Sequence, residues 1–538
     1  MLDNKKEQER AELHRTIWQI ANDLRGSVDG WDFKQYVLGM LFYRYISENL
    51  TNYVNQNEWA AIREEMSGES EDAIKAECEA FDYAKLSDKD AASERENLIK
   101  EKGYYIAPSE LFANVHARAE KDSDLNETLA GVFTHIVESA QGTDSQGDLD
   151  GLFDDVDVNS NKLGATVEER NEKLCKLLDG IGGMNLGNMQ DNTIDAFGDA
   201  YEYLMGMYAS NAGKSGGEYY TPQEVSELLT RLTIIGKTDV NKVYDPACGS
   251  GSLLLKFAKI LGKEHVRNGF FGQEVNITTY NLCRINMFLH DIDFDKFDIA
   301  RGDTLIDPQH WDDEPFEAIV SNPPYSIKWA GKNDPVLIND PRFSPAGVLA
   351  PPSKADMAFI MHSLSWLASN GTAAIVCFPG VMYRSGAEQK IRKYLVDNNF
   401  IDGVIQLPDN LFFGTTIATC ILVLKKSKVD NTTVFYDASS EYIKVTNNNK
   451  LTQENINRIL QCYTERKDIT HVMKVVKPTE ISAENYNLSV STYVEPEENS
   501  ESIDIDTLNA EIKDIVACEE KLRKAIDKIV AEIEGEHE

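Results

Sequence analysis

Between residues 241 and 426 short apolar runs alternate with helical stretches, and this alternation constrains the fold more than any other feature of the chain. Candidate strands fall at 242–244, 269–273, 298–301, 316–321, 373–378, 401–407 and 419–424. A strand that recurs after a helix-length crossover lies parallel to its predecessor, because the crossover carries the chain back to the end it started from. Seven strands joined in this way predict an α/β fold with a doubly wound, mainly parallel, Rossmann-like sheet. Ligands of such sheets bind beyond the carboxyl ends of the strands, so the residues just after each run carry the functional information.

The flanks are of a different kind. Up to about residue 200 the chain reads as helical, with Ile17, Ile20, Leu24, Val37, Leu41, Phe42 and Ile46 at three-to-four spacing and a turn expected near 26–31. Residues 64–102 are dense in charge and read as solvated helix and loop, and 142–157 reads as a loop whose acids lack the order of a calcium site. After Val494 comes a charged linker, EPEENSESIDID, and then Leu508, Ile515, Leu522 and Ile529 recur every seven residues, with Ile512, Ile526 and Ile533 as a second series. Such a seam serves a partner helix or packs back on its own domain. The expected organisation is an N-terminal helical domain (1–200), a sheet domain (201–494), a linker (495–506) and a C-terminal coiled-coil helix for subunit assembly (507–538).

Charge and cysteine usage narrow the function. The chain has 54 basic and 89 acidic residues, a net charge of −35, which opposes any protein that grips nucleic acid unaided. If DNA or RNA is the substrate, a partner is expected to hold it. Eight cysteines are scattered with no C-x-x-C, so free, buried thiols are expected, with neither zinc nor disulfides. No apolar run approaches the roughly 20 residues of a membrane span, and MLDNKKEQERAELHR is too charged for a signal peptide, so a cytoplasmic protein without membrane contact is expected.

Two constellations carry chemistry. In DPACGSGSLLLK a strand runs through Asp245, Gly249 and Gly251 into a helix beginning near Ser252, where glycines allow a sharp turn and the helix start offers unpaired N–H groups. The loop is neither G-x-G-x-x-G nor a P-loop, which disfavours dinucleotides and triphosphates. Glu274 closes the next candidate strand, where a ribose diol is received in such folds, and Asp303 closes the one after it, placed for an adenine amino group or for an Asx turn. The second constellation, SNPPY, follows the apolar run FEAIV directly and puts Asn322, Pro323, Pro324 and Tyr325 at the carboxyl edge. Asn supplies a carbonyl acceptor, the prolines keep the chain extended and leave a carbonyl unpaired, and Tyr offers a stacking face. Two acceptors converging on one amino group suit an N–H₂ nucleophile, oriented toward a methyl sulfonium for direct transfer.

DPACGSG followed about seventy residues later by NPPY resembles motifs I and IV of S-adenosylmethionine-dependent amino methyltransferases of the adenine-N6 DNA type. The chain as a whole resembles the modification (M) subunit of type I restriction-modification systems. GEYYTPQEV (217–225) is similar to that family's motif X, the early helical segment with Trp18, Leu24, Arg25, Gly26, Tyr36, Leu38, Phe42 and Arg44 to its N-terminal domain, and ENYNLSVSTYV (484–494) to its closing segment. The resemblance implies contacts to S-adenosylmethionine at Glu218, Tyr219, Tyr220, Thr221, Pro222 and Gln223, at Asp245, Ala247, Cys248, Gly249, Ser250 and Gly251, and at Glu274 and Asp303. It implies catalysis at Asn322, Pro323, Pro324 and Tyr325, with the tyrosine stacking on a flipped adenine of double-stranded DNA, and no metal. Ser252 stands where the family often has a last glycine. The implied partners are a specificity (S) subunit that chooses the target, with two M subunits per S, and a restriction (R) subunit. The long segment 326–354, with Trp329, Lys332 and Arg342, either closes over the extruded base or merely connects elements. NPPY also occurs in protein-glutamine methylases and related NPP sequences in RNA guanine-N2 enzymes, which lack the GEYYTP segment and the helical flank.

Overall fold

The computed structural model describes residues 11–20, 32–184, 186, 196–211, 221–412, 416–445, 448–495 and 505–535. The chain divides into two compact units, Met1–Val494 and Glu495–Glu538.

All seven expected strands form: β1 (Val243–Asp245), β2 (Phe270–Glu274), β3 (Phe297–Arg301), β4 (Phe316–Ser321), β5 (Leu367–Cys377), β6 (Ile401–Gln406) and β7 (Cys420–Lys425). The fifth begins six residues earlier than the apolar run because the chain passes straight from the helix Asp356–Trp366 into it, and its polar start is absorbed by a register shift opposite Phe316 and Ala318. The sheet is also wider than the alternation suggested. β8 (Thr433–Asp437) lies parallel to β6, and after a short antiparallel pair, β9 (Ile443–Val445) and β10 (Asn448–Lys450), β11 (Met473–Val476) runs antiparallel to β8. The order is β11-β8-β6-β7-β5-β4-β1-β2-β3, in which β7 is antiparallel to both its neighbours.

Period-two alternation explains why these strands read as continuous apolar runs. Ala374 and Val376 of β5 and Ile421 and Val423 of β7 face one core, while Ala373, Ile375, Leu422 and Leu424 face another, so both surfaces of the sheet are covered.

The first of these cores continues without a break into the N-terminal helices. Val37, Leu41, Phe42 and Ile46 on the helix Asp32–Glu65 are fully buried, as are Ile17 and Ile20. Leu24 and the expected turn at 26–31 lie outside the described residues. Phe42 packs on Phe288 of the sheet region at 5.9 Å between ring centres. Arg44 donates to the carbonyls of Ile181 and Met184, at 2.5 and 3.0 Å, where the helix Val167–Gly182 ends, and Thr166 and Glu169 cap that helix at its start. Residues 64–102 form short, mostly exposed helices, as their charge predicts. The segment 142–157 is more than a loop: Gln146–Leu149 is helical, and Leu149, Leu152, Phe153 and Val156 are buried, because its few apolar residues are spaced to reach the core.

At the far end of this unit, the closing segment packs on the second core through Leu488, Val490 and Val494, and Tyr493 lies 4.1 Å from Phe435 of β8. In the second unit Ile505–Gly535 is one helix whose Ile512, Ile515, Leu522, Ile526 and Ile529 are all exposed. All eight cysteines are free; five are buried, whereas Cys175 and Cys462 are half-buried and Cys518, on the C-terminal helix, is exposed, against the expectation that all would be buried. No helix among the described residues is long and apolar enough to cross a membrane.

Candidate active site

The crevice opens where the strand order reverses. β1 pairs with β2 on one side and with β4 on the other, and loops leaving such neighbours diverge to opposite faces of the sheet. The glycine-rich loop follows β1 and the Asn-Pro-Pro-Tyr segment follows β4, so the two sequence motifs stand on adjacent strands, about 4.8 Å apart across the ladder.

On the β1 side, Asp245 is fully buried. Its Oδ1 accepts from the Ala247 N–H at 3.0 Å and from the Ser321 hydroxyl at 2.8 Å, and its Oδ2 is buried without a partner. Burial pushes the carboxyl up to about 7, against the two donated hydrogen bonds, and nearby Glu274 adds to the rise. Beyond it the backbone turns through Gly249 at φ +53° and Gly251 at φ +79° into the helix Ser252–Leu261. A Cβ on Gly251 would stand 2.7 Å from Cys283 Sγ, while one on Gly249 would meet nothing within 4 Å, so the loop is tight below and open above. Cys248 turns inward against Cys283 and Gly272, and the Ser250 carbonyl accepts from Asn286 at 2.8 Å, so the loop uses both residues for shape.

Glu274, at the end of β2, reaches back over this loop. Its Oε2 accepts from the Gly249 N–H at 3.0 Å and its Oε1 from the Asn276 N–H at 2.8 Å. Burial pushes this carboxyl up, opposed by the N–H groups of Asn276, Gly249 and Val275. Asp303 closes an Asx turn on the Leu305 N–H at 2.9 Å, and its neighbour Thr304 is the residue that reaches the loop, donating to the Pro246 carbonyl at 2.6 Å. Val275 and Ile306, beside the two acids, are 65% and 51% exposed, an apolar surface that single-residue inspection did not single out.

On the β4 side, Asn322 is held at both ends. Its Nδ2 donates to Thr221 Oγ1 at 3.1 Å, and its Oδ1 accepts from the Tyr325 hydroxyl. The Tyr325 ring is half-buried, 6.3 Å from Phe378 and tilted by 44°, and burial pushes its phenol far up, so it remains a protonated donor. Pro323 and Pro324 have no N–H to compete for that acceptor. Pro222 precedes the helix Gln223–Thr233, and both amide atoms of Gln223 are buried without a partner among the described residues. Glu218, Tyr219 and Tyr220 lie outside the described residues.

Three side chains that the sequence reading passed over hold these loops. Ser321 ties β4 to Asp245, and its signal was a lone hydroxyl ending an apolar run. Gln273, fully buried, fixes the loop after β3 through the Asp307 carbonyl at 2.8 Å and the Gln309 N–H at 3.1 Å. Asp356 accepts from the Ser326 N–H at 3.2 Å, where the chain leaves Tyr325 at positive φ. The segment 326–354 is a built element: Arg342, 1% exposed, donates to the Thr304 and Leu305 carbonyls at 2.7 and 2.9 Å and pairs with Asp340 at 2.7 Å. Ile327, Val336 and Ile338 of the same segment are exposed. Away from the crevice, Asp298, His310 and Asp313 bring ligand atoms within 4.8 Å of one another. There His310 hydrogen-bonds with the Gly272 carbonyl at 2.9 Å and with Asp313 at 3.1 Å, so both ring nitrogens are already engaged.

Comparison with known proteins identifies the family. The N-6 DNA Methylase family model matches residues 192–502, and the HsdM N-terminal domain model matches residues 13–181. The chain is 48% identical to the type I restriction enzyme MpnII methylase subunit of Mycoplasma pneumoniae over 99% of its own length and 98% of the relative's. It is 32% identical to the MjaVII methylase subunit of Methanocaldococcus jannaschii over 68% of its length and 66% of the relative's. The crystal structure of a type I restriction-modification methyltransferase subunit from Streptococcus thermophilus superposes with a TM-score of 0.78 at 35% identity, covering 90% of this chain and all of that one.

Proposed function

The chain belongs to the N-6 DNA methylase family, as a type I restriction-modification methylase subunit, and from that premise we propose that it transfers a methyl group from S-adenosylmethionine to N6 of an adenine extruded from duplex DNA, at sites chosen by a separate specificity subunit. The observation that carries the reading is the Asn322 amide, held at the carboxyl end of β4 beside the glycine loop of β1 with its carbonyl capped by the Tyr325 hydroxyl.

The residues present fit the methyl donor. The unpartnered Oδ2 of Asp245 suits an ammonium, the unpartnered amide of Gln223 suits a carboxylate, and the carboxylate of Glu274, at the end of β2 over the glycine loop, suits a ribose diol. Val275 and Ile306 offer apolar contact to a purine. When bound, the donor supplies a methyl group on a positively charged sulfur, and this chain's own residues do the rest. Asn322 Oδ1 and the Pro323 carbonyl accept the two N–H bonds of the target amine, which strips it of water and turns its lone pair toward the methyl. Neither acceptor is a base at neutral pH, so the proton that the methylated nitrogen must lose leaves to solvent. Extruding the base costs a few kcal/mol, and stacking on Tyr325 returns about 1–3 kcal/mol.

A net charge of −35 and an exposed heptad seam on Ile505–Gly535 together support a division of labour in which partners supply DNA grip. We assign the seam to helices of the specificity subunit, in a complex with two copies of this chain and, for cleavage, a restriction subunit. Deleting residues 507–538 is expected to abolish assembly with the specificity subunit while the first unit keeps its melting temperature. The reading as a whole is tested by nucleoside analysis of duplex DNA incubated with the assembled complex and labelled S-adenosylmethionine. N6-methyladenine is expected; label in N4-methylcytosine, or in protein or RNA instead of DNA, would overturn it.

A further inference from the structure

The resemblance puts Thr221 among the cofactor contacts, yet the structure turns its hydroxyl toward the other substrate's site. Thr221 is 6% exposed, and its Oγ1 accepts from Asn322 Nδ2 at 3.1 Å. An asparagine amide has two ends of nearly equal size, and only the oxygen end can accept from a target amine. An enzyme that relies on that oxygen therefore needs something to hold the nitrogen end. The near neighbours cannot do it: the Ser321 hydroxyl is committed to Asp245 at 2.8 Å, and Pro323 and Pro324 bring no side-chain acceptor.

We propose that Thr221 is a positioning residue for methyl transfer: its hydroxyl oxygen anchors Nδ2 of Asn322 and thereby aims Oδ1 at the target amine. The proposal rests on the reading of Asn322 as the amine acceptor. It also gives the segment leading into the helix Gln223–Thr233 a second task, because one hydrogen bond joins the residues just ahead of Gln223 to the end of β4. Methyl donor and methyl acceptor sites are then linked here as well as through Ser321 and Asp245, with no contact between Thr221 and the reacting atoms required.

The test uses the full chain assembled with its specificity subunit, S-adenosylmethionine and an unmodified target duplex. Thr221→Val keeps size and burial but removes the oxygen, and Thr221→Ser keeps the oxygen. For Thr221→Val, kcat is expected to fall about 10- to 100-fold, since misaligned reactants lose factors of this order. The Kd for S-adenosylmethionine by calorimetry and the KM for the duplex are expected to stay within about twofold, because the lost bond contacts neither ligand. Thr221→Ser is expected to restore kcat, and Thr221→Ala, with no added methyl to pack, is expected to show the same kcat loss as Thr221→Val. Unchanged kcat in the valine and alanine variants would overturn the proposal, as would a weakening of S-adenosylmethionine binding as large as the loss in kcat/KM, which would make Thr221 a cofactor contact. A wild-type complex that forms no N6-methyladenine would instead overturn the functional reading on which the proposal rests.

Discussion

The two sides of the crevice are prepared in opposite ways. On the glycine-loop side buried polar atoms stand unpaired: Oδ2 of Asp245 and both amide atoms of Gln223 have no partner among the described residues. On the Asn-Pro-Pro-Tyr side the polar atoms are paired with one another, Thr221 with Asn322 and Asn322 with Tyr325. An unpaired buried group costs about 1–3 kcal/mol, which is recovered when a ligand arrives, so the first side is built to be filled. On the second side the Asn322 acceptor is already satisfied by the tyrosine hydroxyl, which, on the proposed reading, a target amine would have to displace. On the proposed reading, the chain carries a preformed donor site and a self-capped acceptor site.

The contrast can be broken most sharply at Asn322. Asn322→Ala removes the side-chain acceptor and is expected to cost about 100- to 1000-fold in kcat, with the Kd for S-adenosylmethionine unchanged by calorimetry. A parallel loss of cofactor binding would mean that the two sides are not separate. Asp245→Asn addresses the donor side. Its carboxyl, at about 7, must ionise to receive an ammonium, so affinity for S-adenosylmethionine is expected to rise with pH, by about tenfold between pH 6 and pH 8. The sign follows because the ligand favours the deprotonated form: affinity is full above 7 and is lost as pH falls through it. In Asp245→Asn this slope should vanish and the affinity at pH 8 should drop about tenfold or more. A titration flat with pH in the wild type would show that Asp245 does not face the charged end of the donor. Tyr325→Phe carries the smallest expected effect. It keeps the stacking ring and removes the cap, which is worth about 0.5–1.5 kcal/mol, so the KM for duplex should fall by up to about tenfold with kcat unchanged. A rise in KM would mean that the hydroxyl helps to hold the base.

The sequence showed those parts of the molecule whose pattern is local. The seven central strands were visible because burial on both faces makes them continuous apolar runs, and Asp245, Glu274 and Asn322 were visible because each ends such a run. β8 and β11 were missed because they lie beyond residue 426, outside the alternating region: β8 joins the sheet parallel to β6, and β11, after the helix Gln453–Glu465, adds an antiparallel edge to β8. Contacts between distant positions were also invisible. Nothing about Arg342 marks it as the anchor of Thr304 and Leu305, and nothing about Thr221, 101 residues from Asn322, marks it as that amide's partner. Gln273, visible only as the last residue of the candidate strand 269–273, is fully buried and fixes the loop behind Asp303. The change from helical spacing to alternating apolar runs was legible in the sequence, but Phe42 against Phe288 was not, and it is through such pairs that the two regions share one core.

The central claim is that this chain holds the complete methyl-transfer site and depends on a partner for its DNA. Methyl transfer from labelled S-adenosylmethionine to unmodified DNA, by the chain alone and by the chain with its specificity subunit, tests it most directly. The account predicts cofactor binding by the chain alone, and N6-methyladenine only when both proteins are present. Transfer by the isolated chain, or none to DNA with both, would contradict it.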